Sequence, residues 1–128
     1  MDFRPTEEQV LLRRSVRAFA ETEIGPHVRE WDQDSHFPIE LVPKLAALGL
    51  LGIQVPEQYG GAAMSAIDYC ICIEELARVD PSVALSVAAH NGLCSSHISL
   101  VGTEAQKDRK STRLNSSHED LSRMPSSA

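Results

Sequence analysis

The segment from residue 65 to residue 79 is apolar on almost every side, and it constrains the fold more than any other part of the chain. Its β-branched residues would also suit a strand, but its length and its Glu-Glu-Leu-Ala-Arg ending favour a helix. A helix without a polar face has to be covered on several sides by the rest of the protein. We therefore expect this segment to be a central helix of the fold.

The dipeptide that follows this segment is the sharpest local signal in the sequence. Asp80 can cap the N-terminus of a helix, and Pro81 at the first helical position loses no hydrogen bond. The helix that starts there should run to the residues just before Gly102, which ends it. Thr103 and Gln106 form the capping box of a further helix.

The N-terminal half of the chain carries start and stop signals for shorter helices. Three helices are predicted there, one after the Thr6–Gln9 capping box, one over residues 27–32 and one over residues 39–48. Gly25-Pro26 should break or kink the first helix near Ile24, and Gly49 should end the third. Together these signals predict an all-α bundle of about five or six helices in one domain.

Charge and composition exclude several classes of protein. A net charge of −6 over 128 residues argues against a nucleic-acid partner and an electrostatic membrane anchor. No apolar run approaches the length of about 20 residues that spans a bilayer, and the first residues lack the features of a signal peptide, so we expect a cytoplasmic protein.

Cys70, Cys72 and Cys94 fit neither a disulfide framework nor a zinc site. His90 and His97 lie about two helical turns apart, so we expect no metal site.

The motifs that could carry chemistry all have a structural explanation. Burial of Glu74 would raise its pKa towards the value that a general base needs, and Glu75 is the second candidate. Arg78 follows Glu74 by four positions, however, and such a pair commonly supports a helix. Gly60-Gly61 is expected to form a turn through glycine torsions rather than a phosphate-binding loop. We therefore expect no catalytic residue in this chain.

The helix that begins at Pro81 has an unusual share of small side chains. They are Ala84, Ser86, Ala88, Ala89, Gly92, Ser95 and Ser96. Small side chains let another group approach the helix backbone closely. That group is either a neighbouring helix or a thin apolar ligand such as an acyl chain. The spacing alone does not separate these two interpretations.

From Phe3 to Lys107 the chain resembles the N-terminal helical domain of the acyl-CoA dehydrogenases. The resemblance depends on the order and spacing of short motifs, each of which is weak by itself. These motifs are Thr6-Glu7-Glu8-Gln9, Phe19-Ala20, Ile24-Gly25-Pro26, Phe37-Pro38, Leu48-Gly49-Leu50-Leu51-Gly52, Val55-Pro56-Glu57-Gln58-Tyr59-Gly60-Gly61, Glu74-Glu75-Leu76-Ala77, Asp80-Pro81-Ser82, His90-Asn91 and Gly102-Thr103-Glu104-Ala105-Gln106-Lys107.

The resemblance implies an FAD-dependent oxidoreductase. Such enzymes oxidise an acyl-CoA thioester to the trans-2-enoyl-CoA and pass the electrons to an electron-transferring flavoprotein. A glutamate base removes the α-proton while the β-hydrogen leaves as hydride to the flavin, and the assembly is a homo-oligomer. In the family, the helix that matches the one from Pro81 borders the acyl-chain pocket. The resemblance therefore implies that Ser86, Ala89, His90 and Leu93 are substrate-binding residues.

The last part of the chain departs from this resemblance. Residues 108–128 resemble the in-frame translation of a sequencing-library adapter. We therefore expect residues 1–107 to be the N-terminal α-domain, truncated before its end, and residues 108–128 to be a non-native, unstructured tail. The segments that carry the family's catalytic glutamate and main flavin contacts would be missing, so the fragment by itself is expected to be inactive.

Two alternatives remain open at the level of sequence. The chain could be a stand-alone helical binding or interaction module. Its parent could also be a related flavoenzyme with the same N-terminal domain, such as an acyl-CoA oxidase or a flavin-dependent monooxygenase.

Overall fold

The structure, a computed structural model, describes residues 1–109, and within that range the chain is helical and contains no strand. Its α-helices are α1 (Glu7–Phe19), α2 (Val28–Gln33), α3 (Val42–Ala47), α4 (Ala66–Val79), α5 (Pro81–Ala89) and α6 (Ser96–Val101). A further helical stretch covers residues 104–109. The prediction of an all-α bundle with about five or six helices is confirmed.

The predicted tail begins inside this last helical stretch. Asp108 and Arg109 continue the helix that starts at residue 104. The rest of the predicted tail, residues 110–128, lies outside the described residues.

Three helical segments begin with reciprocal caps, and the one between Thr103 and Gln106, at the start of the stretch 104–109, confirms the predicted capping box. At α1, the Gln9 N–H donates to Thr6 Oγ1 at 3.2 Å, and the Thr6 N–H donates to Gln9 Oε1 at 2.9 Å, as the sequence predicted. At α4, the Asp68 N–H donates to Ser65 Oγ at 3.2 Å and the Ser65 N–H donates to Asp68 Oδ2 at 2.9 Å. Each cap satisfies backbone N–H groups that have no partner inside the helix, which fixes where the helix starts.

Of the break or kink expected at Gly25-Pro26, the junction between α1 and α2 shows no break. A π-helical turn (Ala20–Ile24) and a 3₁₀ turn (Gly25–His27) join the two helices, so the backbone stays helical throughout. The Gly25 N–H bonds to the carbonyl of Ala20, five residues back. Pro26 has no N–H to continue the α-helical pattern. The proline therefore changes the type of helix at this point instead of ending it.

The link between α3 and α4 is held together by its own backbone. The N–H groups of residues 62–64 donate to carbonyls of residues 52–55 at 2.8–2.9 Å. Gly60 has a φ of +79°, the left-handed conformation that glycine adopts without strain. Gly61 is needed for a different reason, because a Cβ there would lie 2.0 Å from the carbonyl oxygen of Val55. The glycine turn expected from the sequence is present.

α4 lies at the centre of the core, where it packs against both α1 and α5. Cys72 and Leu76 of α4 are fully buried. The apolar side chains packed with them include Val16, Ala20, Ile24, Leu45, Leu50, Ile53, Val83, Ala84 and Val87. One stripe of α4, formed by Ile67, Cys70 and Glu74, is exposed in the described chain. The helix is therefore central, as expected, and it is covered on several sides but not along this stripe.

The helix after α4 starts as predicted but contains an unexpected turn. Asp80 Oδ1 accepts a hydrogen bond from the Ser82 N–H at 2.9 Å, and Pro81 occupies the first turn of α5. A π-helical turn (His90–Ser95) then joins α5 to α6, so the backbone is helical without a break up to the end of α6. Sequence periodicity carries no clear signal for a π turn, because the turn inserts a single residue into an otherwise regular helix.

Candidate functional site

The four residues that the resemblance implied for substrate binding lie on this continuous helix. Ser86 and Ala89 belong to α5, whereas His90 and Leu93 belong to the π turn. Ser86 is exposed, Ala89 and His90 are half-buried, and Leu93 is 75% exposed. Spacings of three and four residues place side chains on one side of a helix. The structure therefore arranges the four residues along one helix, with Leu93 the most open to solvent.

One of these residues also lines a groove. The groove has a volume of about 590 Å³ and lies between α2, the start of α3 and the first turns of α5. Trp31, Phe37 and Val83 form part of its apolar wall, and the hydroxyl groups of Ser82 and Ser86 lie along its α5 side. Ligand pockets have volumes of about 300–1,000 Å³, so this groove is large enough for an organic molecule.

Two polar groups of the groove wall, Asp80 and His36, are engaged in local structural contacts. Asp80 accepts the hydrogen bond that caps α5. His36 Nε2 lies 3.2 Å from Glu40 Oε1. The backbone N–H of Glu40 donates to its own carboxylate and lowers the pKa of that carboxylate. His36 makes a smaller contribution in the same direction. Arg29 and Asp32 are the other charged residues of the wall.

The carboxylate of Glu75 is buried where α1 meets α4. It is 1% exposed and receives hydrogen bonds from Arg17 Nε at 2.8 Å and Arg17 Nη2 at 3.0 Å. Arg78 Nη1 lies 3.4 Å away and Arg13 Nη1 lies 3.5 Å away. The hydrogen bonds from Arg17 hold the pKa of Glu75 below its usual value despite the burial. A carboxylate stabilised in its ionised form is a weak base, so the cluster is structural.

This cluster corrects the expectation for Glu74. The side chain of Glu74 is 60% exposed, and its ion pair is with Arg13 at 3.7 Å rather than with Arg78. Arg78 pairs instead with Glu75, three residues earlier. Glu75 is the glutamate buried against α1. The spacing of charges along α4 does not show which of the two glutamates is buried. The expected pair of Glu74 with Arg78 is therefore wrong, and Glu75 takes the place of Glu74 in it.

The small side chains of the α5 helix serve different purposes on its different sides. α5 packs against α4, where Ala84 is buried and the Tyr69 hydroxyl donates to the Ala88 carbonyl at 3.4 Å. This side uses small residues to bring a neighbouring helix close. Ser86 is exposed and Ala89 is half-buried. A neighbouring helix therefore explains the small residues on the α4 side. A thin apolar ligand remains an interpretation for Ser86 and Ala89.

Asn91 is a buried polar residue that sequence reasoning did not single out. It is 2% exposed and lies inside the π turn. Its Nδ2 donates to the carbonyls of Leu50 at 2.8 Å and Val87 at 2.9 Å, and its Oδ1 accepts from the Ile53 N–H at 3.0 Å. The available signal was an amide residue within a segment of mostly small and apolar residues, since buried amides need several partners.

Metal and thiol chemistry find little support in the described part of the chain. Among residues 1–109, no group of three or more His, Cys, Asp or Glu is placed to hold a metal ion. The three cysteines are free thiols, of which Cys70 is exposed and Cys94 half-buried. Burial raises the pKa of the Cys72 thiol to about 11. Each helix within the described range is too short or too polar to cross a bilayer.

Comparison with known proteins identifies the relatives of this chain. A sequence model described as "Acyl-CoA dehydrogenase, N-terminal domain" matches residues 6–117. The chain is 42% identical over 109 residues to the short-chain-specific acyl-CoA dehydrogenase of Clostridium acetobutylicum, a match that covers 85% of this chain and 29% of that protein.

Solved structures agree with this match. Butyryl-CoA dehydrogenase from Megasphaera elsdenii is similar with a TM-score of 0.82 and 34% identity, over 89% of this chain and 30% of that one. A chain in the structure described as "Electron transferring flavoprotein of Acidaminococcus fermentans: Towards a mechanism of flavin-based electron bifurcation" is similar with a TM-score of 0.84 and 33% identity, again over 89% and 30%. The chain thus spans less than a third of the length of these relatives. It belongs to the acyl-CoA dehydrogenase family of oxidoreductases, and it corresponds to the N-terminal domain of such a protein.

Proposed function

We propose that the parent of this chain is an FAD-dependent acyl-CoA dehydrogenase of the cytoplasm. It converts an acyl-CoA to the trans-2-enoyl-CoA, passes the electrons to an electron-transferring flavoprotein and works as a homo-oligomer. The observation that carries this proposal is the match of residues 6–117 to the family's N-terminal domain. The fold similarity to butyryl-CoA dehydrogenase supports it.

For this chain alone we propose no turnover. Residues 1–107 are then the truncated N-terminal domain and residues 108–128 a non-native tail. The family match itself extends into this second stretch, to residue 117. The described residues include two buried carboxylates: Arg17 holds Glu75 ionised and Asp80 caps α5, so neither is proposed as the base.

Within the parent, the proposed role of this domain is to form one wall of the acyl-chain site. Ser86, Ala89, His90 and Leu93 are the residues of that wall. The support is that Ser86 and Leu93 are exposed and that the side chain of Ala89 is small. An apolar side chain such as Leu93 gains about 2 kcal/mol when it is fully removed from water. In the parent, a thin acyl chain and the rest of the protein would together shield Leu93 from water.

The described residues do not by themselves fit FAD. The groove beside α5 carries the carboxylates of Asp32 and Asp80, with Arg29 as a cation on its wall. The N-terminus of α5, which would otherwise attract a phosphate, is already capped by Asp80. A pyrophosphate would therefore meet negative charge here, and no chemical step is assigned to this chain through the flavin.

The test is to recover the downstream reading frame from the source DNA and to purify the full-length parent. We expect a bound flavin whose absorbance bleaches on addition of acyl-CoA and returns with an electron-transferring flavoprotein. Reoxidation by oxygen with formation of peroxide would indicate an acyl-CoA oxidase instead. A parent without flavin, or with a flavin that no acyl-CoA reduces, would overturn the proposal.

The acyl-chain wall has its own variant. Ala89→Trp in the parent should fill the space beside the acyl chain and lower kcat/KM by at least tenfold while flavin content stays unchanged. Ala18→Trp is the matched control, because Ala18 is exposed on α1. Equal effects of the two substitutions would remove Ala89 from the site.

The groove of about 590 Å³ favours a second candidate, a stand-alone helical binding module. A stop codon directly after natural codons for residues 108–128 in the source genome would support this candidate and exclude the first.

A further inference from the structure

The π turn between α5 and α6 is built around the side chain of Asn91. Its amide makes three hydrogen bonds, to the carbonyls of Leu50 and Val87 and from the N–H of Ile53, at 2.8–3.0 Å. Leu50 and Ile53 precede α4, about 40 residues away in sequence. The side chain therefore ties the middle of the helix to a distant turn of the core.

The bond to Val87 adds a side-chain donor to a backbone carbonyl of α5. In a regular α-helix the N–H of residue 91 would bond to the carbonyl of residue 87. In a π turn each N–H bonds five residues back, as the Ser96 N–H does to the Asn91 carbonyl. Such a turn changes which carbonyls receive a backbone N–H. The Val87 carbonyl receives the His90 N–H and, in addition, the Asn91 amide, so the side chain secures the end of α5 where the π turn begins.

The turn also decides where the following side chains point. One inserted residue rotates everything after it by about 100° relative to an uninterrupted α-helix. Ser86 and Ala89 precede the insertion, whereas Leu93 lies inside it. If the turn relaxed to an α-helix, Leu93 would rotate away from its present direction or the rest of the helix would slip by one residue.

We propose that Asn91 is a positioning residue: its hydrogen bonds hold the π turn, and the turn sets the direction of Leu93 relative to Ser86 and Ala89. The first half of this inference depends only on the fold. Its relevance to the acyl chain rests on the proposed function.

The experiment uses the 128-residue chain and NMR scalar couplings across hydrogen bonds, which identify the carbonyl that accepts each N–H. In the unsubstituted chain, the Ser96 N–H should couple to the Asn91 carbonyl. In Asn91→Leu, which removes both donors and the acceptor, this coupling should disappear and a coupling to the Gly92 carbonyl should replace it. Val87→Ala is the control, because it removes a buried side chain of the same helix and leaves the Asn91 amide in place.

The outcomes separate cleanly. Retention of the Ser96-to-Asn91 coupling in a folded Asn91→Leu chain would overturn the proposal, as would its loss in the Val87→Ala control. If Asn91→Leu does not fold, a measurement on the unsubstituted chain still tests the proposal. Its Asn91 side-chain amide should exchange slowly with solvent and couple to the Val87 carbonyl, and fast exchange would overturn the proposal. None of these readouts requires acyl-CoA, so failure of the proposed function in the parent would be recognised independently.

Discussion

At the scale of single residues, the carboxylate of Glu75 joins two helices through three guanidinium groups. Arg17 of α1 binds it with two hydrogen bonds, and Arg13 and Arg78 lie within 3.5 Å. The three arginines are partly exposed, whereas Glu75 is 1% exposed. Loss of the carboxylate would therefore leave three like charges close together and an unfilled polar site in the core.

Glu75→Gln should lower the free energy of unfolding by about 3 kcal/mol, because it removes the charge that the arginines share. Glu74→Gln is the matched control: its side chain is 60% exposed, and its loss should change stability by about 0.5 kcal/mol or less. Urea unfolding of the three chains measures both effects. Equal effects of the two substitutions would contradict the structural role of Glu75.

The same residue should shape the response to acid. Hydrogen bonds from Arg17 hold the pKa of Glu75 in the folded chain below its usual value. As the pH falls, the unfolded chain therefore binds a proton at Glu75 before the folded chain does. The contribution of Glu75 to the free energy of unfolding is complete above about pH 4.3, the ordinary pKa of a glutamate. It is lost as the pH falls from there through the folded-state pKa. Denaturation between pH 5 and about 3 should show a steeper loss of stability for the unsubstituted chain than for Glu75→Gln; parallel curves would disprove this origin.

The cysteines should differ sharply in reactivity at neutral pH. Cys70 is exposed, whereas Cys72 is fully buried with its pKa raised to about 11. Because the thiolate is the reactive form, an alkylating reagent should modify Cys70 first and Cys72 only on unfolding. Mass spectrometry of peptides after timed alkylation measures the order, with a sample in denaturant as the control. Early modification of Cys72 would mean that α4 is not buried as described.

At the scale of elements, the turn between α3 and α4 depends on close backbone contact. Residues 62–64 bond to residues 52–55, and this brings Gly61 against the Val55 carbonyl. The same turn supplies Leu50 and Ile53 to the Asn91 side chain. A disturbance of the turn would therefore reach the α5 helix through hydrogen bonds as well as through the core.

Gly61→Ala should destabilise the chain by about 3 kcal/mol, because the new Cβ would lie 2.0 Å from a backbone oxygen that cannot move freely. Gly92→Ala is the control within the π turn, where a Cβ would meet only the Tyr69 hydroxyl at 3.9 Å. That substitution should be neutral or stabilise the chain by about 0.5–1 kcal/mol. Thermal unfolding of both variants tests the pair, and a tolerated Gly61→Ala would refute the close approach.

At the scale of the whole molecule, the described chain leaves a row of large apolar side chains exposed along one helix. They are Leu85, Leu93, Leu100 and Val101, each 70–84% exposed. The relatives are more than three times as long as the matched region, so a parent has ample chain to cover this surface. In the 128-residue chain, the same surface favours association of one copy with another.

Leu85→Gln together with Leu93→Gln should therefore reduce self-association of the chain. Leu11→Gln is the control, since Leu11 is 61% exposed but lies on α1, away from this row. Sedimentation velocity over a range of protein concentrations measures the change. A chain that is monomeric at every concentration before substitution, or a control with the same effect, would show that this row does not drive association.

The start and end of most helices can be read from local sequence signals. Thr6 and Asp80 accept the first backbone N–H groups of their helices, and Gly49 and Gly60 adopt positive φ where the chain turns. These signals act within a few residues along the chain, so they can be recognised without knowledge of the fold. The ordered motifs likewise identified the family and placed the four substrate-binding candidates on one helix.

The groups that meet across the bundle depend on how the helices pack. Glu75 rather than Glu74 faces the arginine of α1, and that arginine is 58 residues away in sequence. The π turn at Asn91 likewise depends on carbonyl and N–H groups about 40 residues distant. Helix periodicity shows that a residue can be buried, but its partner is chosen by how the helices pack. The ends of these helices are therefore local properties of the sequence, whereas the ion cluster and the π turn are properties of the packed bundle.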